Sequence, residues 1–369
     1  MSCPSDNTAA IEQSSFWDPT APWDPHRIGW VVAGSCSAAT VLVTFLSVLP
    51  HCRNYHVPRQ QRQIIRILYM PPVYAVISFF SYRYFRSYTY YSLIYVAYEA
   101  LTLSAFLLLI IEYVADTATG HKAEDAMARK DKRPLPMPFC CWRYKPTKAY
   151  FLYSVKWSVM QYVIVRPVIS IVGMICEHYN VLCDTQSFNP RFASVYLSAV
   201  DFVSISVALY GLLLFYGLTH DELAGRRPLA KFLCIKLIVF FTFYQSFVFS
   251  ALEGRVIHAT KYWTETNIAD GLNALAICIE MVFFAIAMWW AYPATEYHQT
   301  DPQGKRIRTS ILGMWRPIWD SLNFSDFVQE IWGSLTFFFR SKRAAPSGSR
   351  MDLAHAFGVD EGSKLPKSY

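Results

Sequence analysis

Arg166 and Pro167 stand side by side in "QYVIVRPVIS" (Gln161–Ser170), a stretch otherwise apolar enough to sit in lipid. An ionisable group inside an apolar span costs about 2.5–3.5 kcal/mol on the insertion scale, so a guanidinium there is expected to face the protein interior and to have a partner. Held in that way, it can attract or position an anion. Pro167 removes a backbone donor and frees the carbonyl one turn earlier, so a broken turn is expected at mid-depth. Glu99 in "YEALTLS" and Glu280 in "ICIEMVFF" lie about as deep as Arg166 when depth is counted at about 1.5 Å per residue. These two carboxylates are expected to face the guanidinium. Asp201 is shallower, and Glu112 lies near the opposite end of its own apolar run.

Further polar groups share faces with these. Ser194, Ser198, Asp201 and Ser204 recur at three- and four-residue intervals, which makes one small polar stripe on a helix. Asn273 and Glu280 are seven apart and share a face, with Asp270 one turn above. Lys236 and Gln245 are nine apart, about half a turn out of phase, so both line one path only if their helix bends. Ser204, Ser206 and Gln161 read equally well as hydrogen-bonding glue between helices.

The elements that must position these side chains are membrane spans. The chain has 369 residues, 53% hydrophobic and 17% aromatic, with only 17% charged and a mean hydropathy of +0.20. The apolar residues are bunched into runs of about 20, the length that crosses a bilayer. Seven such runs are expected at 28–49, 64–85, 90–114, 155–176, 195–218, 232–252 and 268–292. The fold class is therefore an all-α polytopic membrane protein. The connections after runs one, three and five carry most of the Arg and Lys, including Arg53, Arg59, Arg62, Lys130, Arg133, Arg226 and Arg227. The positive-inside rule then places the N-terminus outside and the C-terminus in the cytosol. Residues 1–27 become an outer tail, 28–292 the helical domain with a cytosolic loop at 115–154, and 293–369 a cytosolic C-terminal region.

That distribution excludes several functions. A net charge of +7 could suit nucleic acid, but the basic residues sit in loops beside apolar runs, where they orient a membrane protein. No nucleic acid is expected as a partner. The nine cysteines show no metal-ligand spacing, and neither metal nor cofactor is expected. There is no H-E-x-x-H, G-x-S-x-G or Walker pattern, so an enzyme or ATP-driven pump lacks visible parts. The acidic, non-basic start is not a cleaved signal peptide, and "HDEL" at His220–Leu223 is internal. A G-protein-coupled receptor would share the span count, but D-R-Y and N-P-x-x-Y are missing from spans three and seven. A retinal protein would need a lysine in the last span, and none is there.

On the cytosolic side, adjacent Cys140 and Cys141 in "PMPFCCWRYKP" suggest S-palmitoylation. Beyond the last span, "DSLNFSDFVQEIWGSLTFFFR" spaces its apolar residues as an amphipathic helix at about 323–340, started by Asn323 or Ser325. Such a helix would lie on the anionic leaflet or pack against the bundle. The tail beyond Ala344 has the composition of a disordered segment.

Six blocks, in order, resemble the organic solute transporter alpha-subunit family, which includes the transmembrane protein 184 group. They are "RQIIRILYMPPVYAVISF", "YEALTLSAFLLLIIEYV", "QYVIVRPVISIV", "VSISVALYGLLLFY", "PLAKFLCIKLIVFFTFYQS" and "ICIEMVFFAIAMWWAYP". The positions carried over by that resemblance are Arg66, Tyr98, Glu99, Gln161, Arg166 with Pro167, Ser204, Ser206, Lys231, Lys236, Gln245 and Glu280. The chain departs from the family in its reduced cysteine cluster and in Asp201–Phe202, where many members have an asparagine. The resemblance implies facilitated movement of small amphipathic organic solutes, such as organic anions, sterol conjugates or lipids. It also implies a single-span accessory subunit, with a homodimer as the other expected assembly besides contact with membrane lipids. Residence in the plasma membrane or in a vacuolar or endomembrane compartment fits equally. The alternative is a non-transporting seven-span protein that acts in trafficking or signalling through its cytosolic loop and tail.

Overall fold

A bilayer leaves the backbone no water to bond, so each apolar run satisfies its own amides by forming a helix. A computed structural model describes residues 23–84, 87–117, 149–179, 192–219, 227–252, 265–297 and 311–323. It also describes short pieces at 133–134, 143–144 and 256–258, and single positions 181, 325, 329 and 332. The helices are α1 Pro25–Arg53, α2 Pro58–Leu68, α3 Met70–Arg83, α4 Tyr88–Thr117, α5 Ala149–His178, α6 Ala193–Thr219, α7 Pro228–Leu252, α8 Glu265–Ala291 and α9 Trp315–Leu322. With α2 and α3 taken as one span, seven are long and apolar enough to cross a membrane. Arg133–Pro134 and Arg143–Tyr144 form a two-stranded antiparallel ladder between α4 and α5. The end of the bundle where α1 starts is termed outer and the end where α9 packs inner, after the orientation expected from charge.

Span two differs from the single helix expected at 64–85. It begins earlier, at Pro58, and is jointed at Tyr69. Pro71 and Pro72 lack amide donors, and the first turn of a new helix is where those donors are dispensable. The joint is tied by Tyr69 N–H to Ile65 O (3.1 Å) and Val73 N–H to Tyr69 O (3.1 Å). The early residues of α2 are polar and nevertheless buried: Gln60, Gln61, Gln63 and Arg66.

Pro167 does not break α5, which remains helical from Ala149 to His178. One interior proline forfeits a single ladder bond, and with no competing water the turns on either side keep the helix intact.

α4 is the central helix. Its apolar stretch is 72% buried, against 33% or less for α1, α5, α6 and α7. Around it, α5 packs on α4 and α6, while α8 packs on α1, α3 and α7. Gly211 lets α6 approach α5 closely, because a Cβ there would collide with the Ser158 side chain. Among the described residues no comparable packing joins α6 to α7. A shallow apolar crevice, with room for little more than one water molecule, opens there instead, lined by Phe106, Leu212, Leu213, Tyr216 and Phe232.

Candidate functional site

On α5, Tyr162 and Arg166 are four residues apart and share the face turned toward α4 and α6. The Arg166 guanidinium forms an ion pair through Nη1 with Asp201 Oδ2 on α6, with 17% and 19% of the side chains exposed. It is also within electrostatic reach of Glu99 on α4. Glu99 is held from two sides: the Tyr74 hydroxyl donates to Oε2 and the Tyr162 hydroxyl to Oε1, each at 3.3 Å. Lys236 on α7 reaches the same carboxylate electrostatically. Two cations and two carboxylates therefore meet inside the bundle. Two atoms of the central ion pair remain buried without a hydrogen-bond partner, Arg166 Nε and Asp201 Oδ1.

Glu280 is not part of this group. Its Oε2 is buried without a hydrogen-bond partner, no charged neighbour among the described residues acts on it, and α8 packs mainly on α1, α3 and α7. The shallower Asp201 takes the place expected for Glu280. Arg166 lies about 18 Å from the His178 end of its helix and Asp201 about 12 Å from the Ala193 end, an offset the flexible arginine stem spans.

The remaining expected residues divide by surroundings. Gln161 and Ser204 bond reciprocally across α5 and α6: Ser204 Oγ donates to Gln161 Oε1 (2.8 Å), and Gln161 Nε2 donates to Ser204 O (2.9 Å). This is the glue geometry, one turn from Arg166 and Asp201. Ser206 faces outward and donates to Phe202 O in its own helix (2.6 Å), so it is not with the buried group. Tyr98 donates to Arg66 O (2.8 Å). Gln245 Nε2 donates to Asn273 O (3.1 Å), and Asn273 Nδ2 donates to the Tyr88 hydroxyl (2.6 Å), nearer the outer end. Cys140 and Cys141 lie outside the described residues, as does most of the expected helix at 323–340. At that helix's expected start, the Ser325 amide donates to Asn323 Oδ1 (3.1 Å), the bond a capping asparagine accepts.

Two buried polar groups at the inner end escaped the residue-by-residue reading of charge and depth. Lys231, 1% exposed, donates to the Tyr113 hydroxyl (3.0 Å) and pairs with Glu296 (3.2 Å). Its ammonium lies 5.0 Å from the Tyr113 ring centroid and 5.6 Å from that of Tyr292. Tyr297 joins this cluster to α2 by donating to Gln60 Oε1 (3.1 Å). Separately, Arg66 receives the end of α9: Nε donates to Ser321 O (2.9 Å) and Nη2 to Asn323 O (2.5 Å). Beside it, burial and the neighbouring Asp320 carboxylate push the Tyr55 hydroxyl up to about 12. The family resemblance pointed to Lys231 and Arg66; their partners carry no signal in local sequence.

Seven membrane-length helices enclosing an internal group of paired charges make this a multi-pass integral membrane protein. The family profile described as organic solute transporter Ostalpha matches residues 29–297, which take in the seven membrane-length helices except the first turn of α1. The chain belongs to that family, and its activity is accordingly the movement of solutes across a membrane. No solved structure matches the chain.

Proposed function

We propose that the chain carries amphipathic organic anions, such as sterol conjugates or anionic lipids, down their gradient across the bilayer. The observation that supports this most is the Arg166–Asp201 pair. Nη1 of the guanidinium is taken by Asp201, whereas Nε is buried and unpaired. A carboxylate or sulfate approaching that edge would meet donors in the fork geometry that favours bidentate anion binding. Asp201 would then act as an internal stand-in for the anionic head, holding Arg166 when no solute is present.

The apolar part of the solute would have to widen the shallow crevice beside this group. The crevice between α6 and α7 is lined by Phe106 and Phe232, whose rings stack at 5.7 Å, and by Leu212, Leu213 and Tyr216. Leu213 is half exposed on the lipid-facing side, and Phe232 lies one turn from Lys236 on α7. A solute entering sideways from the membrane would thus keep its rings or chain in apolar surroundings. Its negative charge would move toward Lys236 and Arg166.

Purified protein in liposomes tests this with a sterol sulfate and the matching uncharged sterol. Saturable, protein-dependent flux of the sulfate is expected. Flux no faster than in empty liposomes would overturn the proposed substrate class.

A further inference from the structure

The outer half of the bundle holds two buried carbonyl oxygens with nothing to accept. Gln245 Nε2 donates to the backbone carbonyl of Asn273, a group that can only accept, so the orientation of the Gln245 amide is fixed and Oε1 is the atom left over. Asn273, 3% exposed, donates through Nδ2 to the Tyr88 hydroxyl, which is itself hydrogen-bonded to Tyr95. This leaves Asn273 Oδ1 buried and unpartnered as well. An unpaired acceptor in such surroundings costs about 1–3 kcal/mol, and two on adjoining residues ask for a donor.

These oxygens are connected to the charged group. The Tyr95 ring lies 4.7 Å from Tyr74, whose hydroxyl donates to Glu99. About 16 Å of helix separates Tyr88 from Glu99, so the two groups stand about three turns apart along α4.

We propose that Asn273 Oδ1 and Gln245 Oε1 form a second subsite that accepts hydrogen bonds from hydroxyl groups at the end of the solute remote from its anionic head. The inference rests on the transport reading above and adds a chemical selectivity to it. An anionic amphiphile with a distal hydroxyl would satisfy both ends of the site. The deoxy compound would leave the carbonyl oxygens bare, and sites built to receive a hydroxyl discriminate against its loss.

The test measures flux of a sterol sulfate bearing a distal hydroxyl, and of its deoxy counterpart, by the full chain in liposomes. Wild type is expected to prefer the hydroxylated compound by about tenfold. Asn273→Leu should bring that ratio close to one, and Asn273→Asp, which retains an acceptor, should preserve it. An unchanged ratio in Asn273→Leu would overturn the subsite and mean that the oxygens hold water only. Where Asn273→Leu does not fold, Gln245→Leu is read in its place. Should wild type move neither compound, the transport reading fails, and thermal shift with the same pair in detergent decides the subsite separately. Greater stabilisation of wild type by the hydroxylated compound, absent in the variant, sustains it; equal or no stabilisation by the two compounds overturns it.

Discussion

Arg166 of α5 is paired with Asp201 of α6, and the same guanidinium lies within electrostatic reach of Glu99 on α4. One side chain therefore ties the central helix to the two helices beside it. Removing a single partner from a buried pair leaves an uncompensated charge, which costs about 3–5 kcal/mol. Asp201→Asn is expected to lower the unfolding temperature in detergent clearly. The double variant Arg166→Met/Asp201→Leu should recover most of that loss without recovering flux. Full stability in Asp201→Asn would show that the pair is not formed in the folded protein.

The inner-end pair is asymmetric, because Lys231 is 1% exposed and Glu296 23%. Glu296→Gln strands an ammonium in the interior, whereas Lys231→Met leaves a carboxylate that water can reach. The first variant is expected to be the less stable by about 1–2 kcal/mol, read from thermal unfolding of both. The reverse order would mean that the Tyr113 and Tyr292 rings, rather than Glu296, hold the ammonium.

Arg66 fixes the end of α9 through two backbone carbonyls. Arg66→Ala should release that helix while the spans remain folded. Hydrogen exchange should then rise by about tenfold or more over residues 315–323 and little elsewhere. Unchanged protection there would show that Pro317 and Ser321, buried against α2, are sufficient to hold it.

Gly211 sits where α6 crosses Ser158 of α5. Gly211→Val forces these helices apart and is expected to cost about 1–3 kcal/mol, the usual range for overpacking. Because the Gln161–Ser204 and Arg166–Asp201 contacts lie along the same seam, flux should fall with stability. Gly217 has open space around it, so Gly217→Ala serves as the control and should be neutral or slightly stabilising.

The seven spans were legible because each is a run of about 20 apolar residues, and the helices fall within a few residues of the expected bounds except at the starts of spans two and four, which lie at Pro58 and Ala149 rather than 64 and 155. In span two, Gln60, Gln61 and Gln63 read as loop. Their partners are what a loop lacks: Gln61 folds back on the His51 and Asn54 carbonyls, Tyr297 reaches Gln60, and Gln63 accepts from Arg66, which holds the end of α9. The depth of Arg166 was also legible, and counting residues placed Glu99 correctly beside it. Counting cannot give the rotation of a helix about its axis or its neighbours around the bundle. For this reason Glu280, on a helix that packs mainly on α1, α3 and α7, was expected where Asp201 stands. The proline at 167 was read from its local rule, and the surrounding helix overrode it. Tyr74 and Tyr162 were not singled out, since nothing in a single sequence distinguishes a ring at the membrane surface from one whose hydroxyl serves a buried carboxylate.

The anion-binding role of Arg166 is tested most directly by flux of a sterol sulfate into liposomes containing wild type, Arg166→Gln or Asp201→Asn. Each variant is first matched to wild type for folded protein. Arg166→Gln is expected to reduce flux by about a hundredfold, the scale of one lost charge-assisted contact at a buried site. Asp201→Asn should retain tighter apparent binding of the sulfate, because the internal competitor is gone. Equal sulfate flux in wild type and Arg166→Gln would contradict the account.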